Sequence, residues 1–253
     1  MKQILQSPTM ILRTGIIGFC WFVSNIGYYG LTLNSGRIGG NIYINYTVSV
    51  IMELVAYFAC LFLVDRIGRR ASFCASMLLG GVSCLCSIFT VTYASDDLSW
   101  TTIALSSIGK LGVSAAFAIV FIFTPELFPT TVRSSSVGLS NFIGKIGGIV
   151  SPYIADLGLL VDSDMKVALP LIVFGGLMIA AGLLAFTLPE TLGRELPETI
   201  EEAVSMKRYI LVYSLSLTPL GLFVCLFGFV CLFVCLFFFF FFLLFMIEDM
   251  KIS

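Results

Sequence analysis

Long apolar runs alternate with short polar connections along most of the chain. A helix rises 1.5 Å per residue, so about 20 apolar residues cross a hydrocarbon core of about 30 Å. The pattern therefore predicts six membrane-spanning helices, and with them an all-α polytopic membrane protein. The spans are expected near residues 14–34, 42–64, 71–93, 100–123, 134–157 and 167–188. The composition agrees, because 58% of the residues are hydrophobic and only 11% are charged.

The last part of the chain differs from these spans. Residues 209–247 carry no charged side chain, and residues 237–242 are six consecutive phenylalanines. We therefore divide the chain into a six-helix bundle, residues 1–203, and a low-complexity hydrophobic extension, residues 204–253. The extension is either a seventh span or an artefact of the gene model, translated from a pyrimidine-rich tract.

Basic residues are distributed unevenly between the two sides of the predicted bundle. Cytoplasmic loops of membrane proteins carry an excess of Lys and Arg. We therefore expect the N-terminus and the loop after the sixth helix to be cytoplasmic. The membrane in which the protein lies is expected to be the plasma membrane. One side receives Lys2, Arg13, Arg66, Arg69, Arg70, Arg133, Arg194, Lys207 and Arg208, and the other receives only Arg37 and Lys166.

The composition also excludes several classes of function. The chain contains no His, which rules out a Ser-His-Asp triad and any His-ligated zinc site. Its eight cysteines never form a CxxC pair, and its net charge of -1 offers no basic field for nucleic acid. We expect no enzyme activity, no catalytic residue, no metal and no cofactor, with the lipid bilayer as the surrounding partner.

Three ionisable residues fall inside the predicted spans, each roughly 15 to 17 Å from a helix mouth. They are Glu53, Lys110 and Lys145. A charge at the bilayer centre costs about 2.5 to 3.5 kcal/mol, so these groups must pair or face water. One interpretation is a structural Glu–Lys pair. The other is a binding site with a net positive charge, which an anionic substrate would satisfy.

The first helix carries Trp21, Asn25 and Tyr28 at positions i, i+4 and i+7. This spacing places the three side chains on one helix face. A polar and aromatic wall of this kind is suited to an organic substrate, although the same stripe also occurs in ordinary helix packing.

Three connecting segments resemble those of one transporter family. Residues 65–70 read DRIGRR, residues 125–133 read PELFPTTVR, and residues 188–199 read LPETLGRELPET. Together they are similar to the organic cation, organic anion and carnitine transporters of the major facilitator superfamily. The resemblance implies a twelve-helix transporter working by alternating access, of which this chain resembles the C-terminal half. It further implies that the partner is a missing N-terminal half or a second copy.

The resemblance also bears on the substrate. The position matching Lys145 is acidic in the cation-transporting branch and basic in anion and carnitine members. A small organic anion or zwitterion is therefore favoured over a cation, with Lys145, Lys110, Glu53, Trp21, Asn25 and Tyr28 as the substrate-binding residues. The alternatives are a sugar-type facilitator and a non-transporting half that associates with a full-length partner.

The charged loops suggest a cytoplasmic gate. Asp65 lies between two helices, where it could accept hydrogen bonds from the N-terminus of the second and pair with Arg69 or Arg70. Glu126 and Arg133 could join the same network, which would open as the helices rock. The alternative is that these residues only anchor the helix ends.

Overall fold

The computed structural model describes residues 7–36, 42–93, 99–157, 165–194 and 196–205. These residues form six long helices and one short helix, and no strand occurs among them. They all belong to the unit Met1–Arg208. Residues 206–253, and with them most of the predicted extension, lie outside the described residues. The helices are α1 (Pro8–Ser35), α2 (Ile42–Ile67), α3 (Arg69–Tyr93), α4 (Ser99–Leu127), α5 (Arg133–Asp156), α6 (Met165–Ala185) and α7 (Ile200–Ser205).

The long helices fit a membrane environment. Four described segments are long and apolar enough to cross a bilayer: Pro8–Ser35, Ile42–Ile67, Arg69–Ile88 and Thr101–Leu127. A shorter apolar segment, Leu169–Ala185, lies in α6. The prediction of an all-α polytopic membrane protein is therefore confirmed. Each of α1 to α6 overlaps one predicted span, and α1, α2 and α4 extend beyond it by three to six residues.

Glycines allow α3 to approach its two main neighbours, α4 and α6, very closely. A Cβ on Gly112 of α4 would lie 2.6 Å from the carbonyl oxygen of Ser76, and a Cβ on Gly81 would lie 2.9 Å from that of Gly175 in α6. In lipid no hydrophobic force drives helices together, so such small residues permit the close van der Waals packing that holds them. The bundle core around α3 is therefore fixed by backbone contact.

Helices α1 and α4 run antiparallel along the centre of the bundle. The indole Nε1 of Trp21 donates to Thr124 Oγ1, whereas eleven residues later on α1 Thr32 accepts from Lys110. Residue numbers therefore increase along α1 in the direction in which they decrease along α4. This register brings the polar face of α1 against the charged middle of α4.

Helix α7 begins with a capping box. The carboxylate of Glu202 accepts the backbone N–H groups of Glu198 and Thr199, and the Thr199 hydroxyl accepts that of Glu202. These backbone hydrogen bonds lower the pKa of Glu202. Towards the other end of α7, the carbonyl oxygen of Ala203 accepts a hydrogen bond from Arg13, which connects α7 to the first part of α1.

Candidate functional site

A carboxylate with three polar partners lies at the centre of the bundle. Glu53 Oε1 accepts the hydroxyl of Tyr28 at 2.5 Å and the hydroxyl of Tyr57 at 2.7 Å. The other carboxylate oxygen, Oε2, lies 3.7 Å from Lys110 Nζ. Two hydroxyl donors and one ammonium stabilise the ionised form of a carboxylate. We call Glu53, Tyr28, Tyr57 and Lys110 the central cluster.

The ammonium of Lys110 is fully engaged by the protein. Besides Glu53 it contacts Thr32 Oγ1 at 2.6 Å and the carbonyl oxygen of Tyr28 at 3.1 Å, and it lies 3.5 Å from the centre of the Tyr28 ring. Its side chain is only 2% exposed. A lysine ammonium has three donors, so these contacts leave none for a substrate. Lys110 therefore fixes the positions of Tyr28 and Glu53.

A row of aromatic rings continues the central cluster along α1 and α4. The ring of Phe117 stacks on Tyr28 with centroids 5.0 Å apart, and Phe121 meets Trp21 edge to face at 4.4 Å. Neither phenylalanine was among the site residues predicted from the sequence. The signal was present, because they follow Lys110 by 7 and 11 residues and therefore share its helix face.

Two of the predicted substrate residues have no exposed surface. Trp21 is buried, and Asn25, also buried, donates from Nδ2 to the carbonyl oxygen of Trp21. A Cβ on Gly144 of α5 would lie only 2.6 Å from Asn25 Nδ2, so α5 covers this residue. The predicted wall of Trp21, Asn25 and Tyr28 is thus only partly open, with Tyr28 as its accessible member.

Lys145 forms no hydrogen bond or ion pair with any member of the central cluster. It is exposed on the outer side of α5, beside the exposed apolar residues Phe142, Ile146 and Ile149. No hydrogen bond or ion pair joins it to any residue in the described part of the chain. The lysine that pairs with Glu53 is therefore Lys110, and Lys145 keeps an uncompensated charge.

A second polar cluster joins the α2–α3 and α4–α5 connections. Arg69 lies 3.2 Å from the carboxylate of Glu126 and 3.5 Å from that of Asp65. Glu126 also accepts the hydroxyl of Thr191 at 2.5 Å. This loop charge cluster thus links the end of α2, the start of α3 and the end of α4 to the segment after α6.

The N-terminus of α3 is occupied by Glu190, not by Asp65 as the sequence analysis expected. Glu190 Oε1 accepts the backbone N–H groups of Arg69 at 2.8 Å and Arg70 at 3.3 Å. Asp65 remains on the last turn of α2, where its largely exposed carboxylate forms an ion pair with the Arg69 side chain and with no other described residue. The expectation that Asp65 caps α3 is therefore wrong, because Gly68 lets the chain turn so that the segment after α6 covers the helix start.

Two predicted gate residues bind backbone carbonyls instead of carboxylates. Arg70 donates to the carbonyl oxygen of Leu188 at 3.2 Å, and Arg133 donates to that of Pro125 at 2.9 Å. Neither forms an ion pair with a described acidic residue. They hold the loops beside the charge cluster without joining its ion pairs.

Comparisons with a family model and with known proteins agree on one family. The sequence model of the Major Facilitator Superfamily matches residues 10–253. The chain is 43% identical over 203 residues to solute carrier family 22 member 15 of Xenopus tropicalis, covering 79% of this chain and 37% of that protein.

Two further relatives agree. The chain is 39% identical over 200 residues to an organic cation transporter protein of Drosophila melanogaster, covering 79% of this chain and 35% of that protein. It is 38% identical over 206 residues to human solute carrier family 22 member 2, covering 81% and 36%. The chain thus spans about a third of the length of these curated relatives, and none of their names describes an enzyme.

The superfamily match covers nearly the whole chain, and the described residues form long apolar helices joined by the loop charge cluster. The chain therefore belongs to the major facilitator superfamily of multi-pass membrane proteins.

Proposed function

We propose that this chain transports small organic ions across the plasma membrane by alternating access, together with six further helices. An anion or zwitterion is favoured over a cation. The further helices come from an N-terminal half or from a second copy. In this arrangement the two ends of the bundle, before α1 and after α6, face the cytoplasm.

The exposed charge of Lys145 is the observation that carries the proposal. Twelve residues separate it from Arg133 at the start of α5, which corresponds to about 18 Å along the helix. An ammonium at that depth is unfavourable against lipid and is found almost always in a bundle interior or a water-filled cavity. The outer face of α5, which exposes Phe142, Ile146 and Ile149 beside Lys145, therefore lines a water-filled cavity that further helices complete.

The charges of the site favour an anionic group on the substrate. Glu53 is balanced by Lys110 at 3.7 Å, so the pair presents little net charge. Lys145 has no such partner among the described residues. At an effective dielectric constant near 20, the Coulomb attraction between its ammonium and an anion 4 Å away is about 4 kcal/mol, before the cost of desolvation is subtracted. Tyr28, Tyr57 and Phe117, all partly exposed, offer aromatic surface for the organic part of the substrate.

The loop charge cluster is the proposed gate. Arg69 of α3 contacts Glu126 of α4, and its backbone N–H is bound by Glu190 in the stretch after α6, so these residues join two helices and that stretch. The carboxylate of Asp65 is 77% exposed, and exposed ion pairs contribute little, so its contact with Arg69 can break and re-form as helices rock. A role restricted to anchoring the helix ends is the alternative, and charge-neutral variants that keep normal transport would support it.

Uptake by a reconstituted pair of halves tests the proposal. We would co-express the chain with the first six helices of its Xenopus tropicalis relative and measure saturable uptake of a labelled organic anion, an organic cation and glucose. Lys145→Ala should lower affinity for the anion roughly 5- to 150-fold, which corresponds to 1 to 3 kcal/mol. Lys145→Arg should retain most of it, and surface abundance should be unchanged in both variants.

Each result distinguishes the alternatives. Normal anion affinity in a normally expressed Lys145→Ala protein would refute the substrate contact. Saturable glucose uptake without anion uptake would favour a sugar-type facilitator. Absence of all uptake, with co-purification of a full-length relative, would favour a non-transporting half.

A further inference from the structure

Buried polar side chains without partners surround Lys110 on both sides. Ser106 and Ser114 lie one helical turn before and after it on α4, and they are 3% and 0% exposed. Neither hydroxyl has a hydrogen-bond partner among the described residues. By contrast, Ser24 and Ser87 each donate their hydroxyl to the carbonyl oxygen four residues earlier in their own helix.

The facing part of α1 carries a third such residue. Asn34 is 0% exposed, and neither its Oδ1 nor its Nδ2 has a partner among the described residues. The antiparallel register places it near Ser106. Lys110 reaches Thr32, and a Cβ on Gly109 would lie 3.7 Å from Leu31, so the next turn of α1 lies level with the turn of α4 that contains Ser106.

We propose that water molecules occupy the seam between α1 and α4 around Lys110. Buried polar groups are almost always hydrogen-bonded, to protein or to ordered water. The Asn34 amide and the Ser106 hydroxyl lie on facing helices without partners among the described residues, and buried water is retained where two to four polar groups converge. The Ser114 hydroxyl is a separate unpartnered group on the other side of Lys110. The ligand of this seam is water itself, whichever solute the chain carries.

Water in the seam has a consequence for the central cluster. Separating Lys110 from Glu53 in a dry core would leave the buried ammonium of Lys110 without its counter-charge. Water beside Ser106 and Ser114 can solvate the ammonium as it leaves the carboxylate. The seam thus makes the pair separable during a rearrangement of α1 against α4, and this inference does not depend on the proposed substrate.

Thiol accessibility tests the inference on the chain itself. With the eight native cysteines replaced, Ser106→Cys and Ser114→Cys would be treated with a small methanethiosulfonate reagent. The matched controls are Ser24→Cys and Ser87→Cys, which replace hydroxyls equally buried but bonded to their own helix. Only the thiolate reacts, and dry burial suppresses it, so the two seam positions should react at least about tenfold faster than the controls. Rates equal to those of the controls would overturn the proposal.

A second measurement needs no introduced cysteine. Asn34→Leu keeps the side-chain shape and removes both unpartnered polar atoms in the otherwise native chain. In a dry seam this change would remove a desolvation penalty and raise the melting temperature, whereas in a hydrated seam it breaks hydrogen bonds to water. We expect the melting temperature to stay the same or fall. A clear rise would contradict the hydrated seam.

Discussion

The carboxylate of Glu190 caps the start of α3 by accepting the backbone N–H of Arg69 at 2.8 Å. The two residues are 121 positions apart, so the contact closes the segment after α6 onto the α2–α3 turn. A negative charge at a helix N-terminus satisfies otherwise unpaired N–H groups and interacts favourably with the helix dipole.

Removing this cap should therefore destabilise the bundle. We expect Glu190→Ala to lower the free energy of unfolding by about 1 to 2 kcal/mol, and Glu190→Gln by less, because an amide oxygen can still accept. Glu201→Ala on exposed α7 is the control, with little effect expected. Denaturation in detergent micelles provides the measurement, and equal effects of Glu190→Ala and Glu201→Ala would exclude the capping role.

Gly68 should be intolerant of any side chain. Its φ of +102° lies in the left-handed region, and a Cβ there would approach Glu190 Cδ to 2.8 Å. Gly68→Ala should cost roughly 1 to 2 kcal/mol from backbone strain alone, with displacement of Glu190 in addition. Thermal unfolding of the purified variant measures the loss.

Gly138→Ala is the matched comparison for Gly68→Ala. Gly138 is helical, exposed, and has no atom within 4 Å of an added Cβ. Alanine favours helix over glycine by roughly 0.5 to 1 kcal/mol, so this variant should be slightly more stable than the native chain. If both glycines respond alike, the special geometry assigned to Gly68 is incorrect.

The sequence was sufficient to predict the helices but not their ends. Apolar length defines a span, whereas Arg13 and Glu126 are polar and lie in helical turns beyond the predicted windows of α1 and α4. Their charges are satisfied by Ala203 and Arg69, which no local pattern reveals. The helix ends were therefore set by contacts distant in sequence.

The partner of Glu53 could not be chosen from the sequence for a similar reason. Lys110 and Lys145 were predicted at nearly the same depth, and depth follows from residue count. Which lysine points toward α2 depends on how α4 and α5 are rotated within the bundle. Only the packing of α4 between α1 and α2 decides this in favour of Lys110.

The orientation of the bundle in the membrane remains a prediction that labelling can check. Cysteines introduced near Arg69 and near Asp96, which lies outside the described residues, should react with an impermeant reagent from opposite faces of sealed vesicles. The native cysteines must be replaced first. If both positions react from the same face, the predicted topology is wrong.

The last prediction separates the two intramembrane lysines by their effect on folding. Lys110→Met would leave the carboxylate of Glu53, whose side chain is 19% exposed, without its ammonium. Breaking a buried pair costs about 3 to 5 kcal/mol, and we expect the lower end because Glu53 keeps two tyrosine hydroxyls. Folded yield should therefore fall in Lys110→Met and recover in the Glu53→Gln/Lys110→Met double variant, because a neutral amide needs no counter-charge.

Lys145→Ala should fold normally, so adding Glu53→Gln to it should bring no gain. Size-exclusion profiles and surface abundance of these four variants and the native chain measure the folded yield. A folding defect in Lys145→Ala that Glu53→Gln rescues would show that Lys145, and not Lys110, is the partner of Glu53.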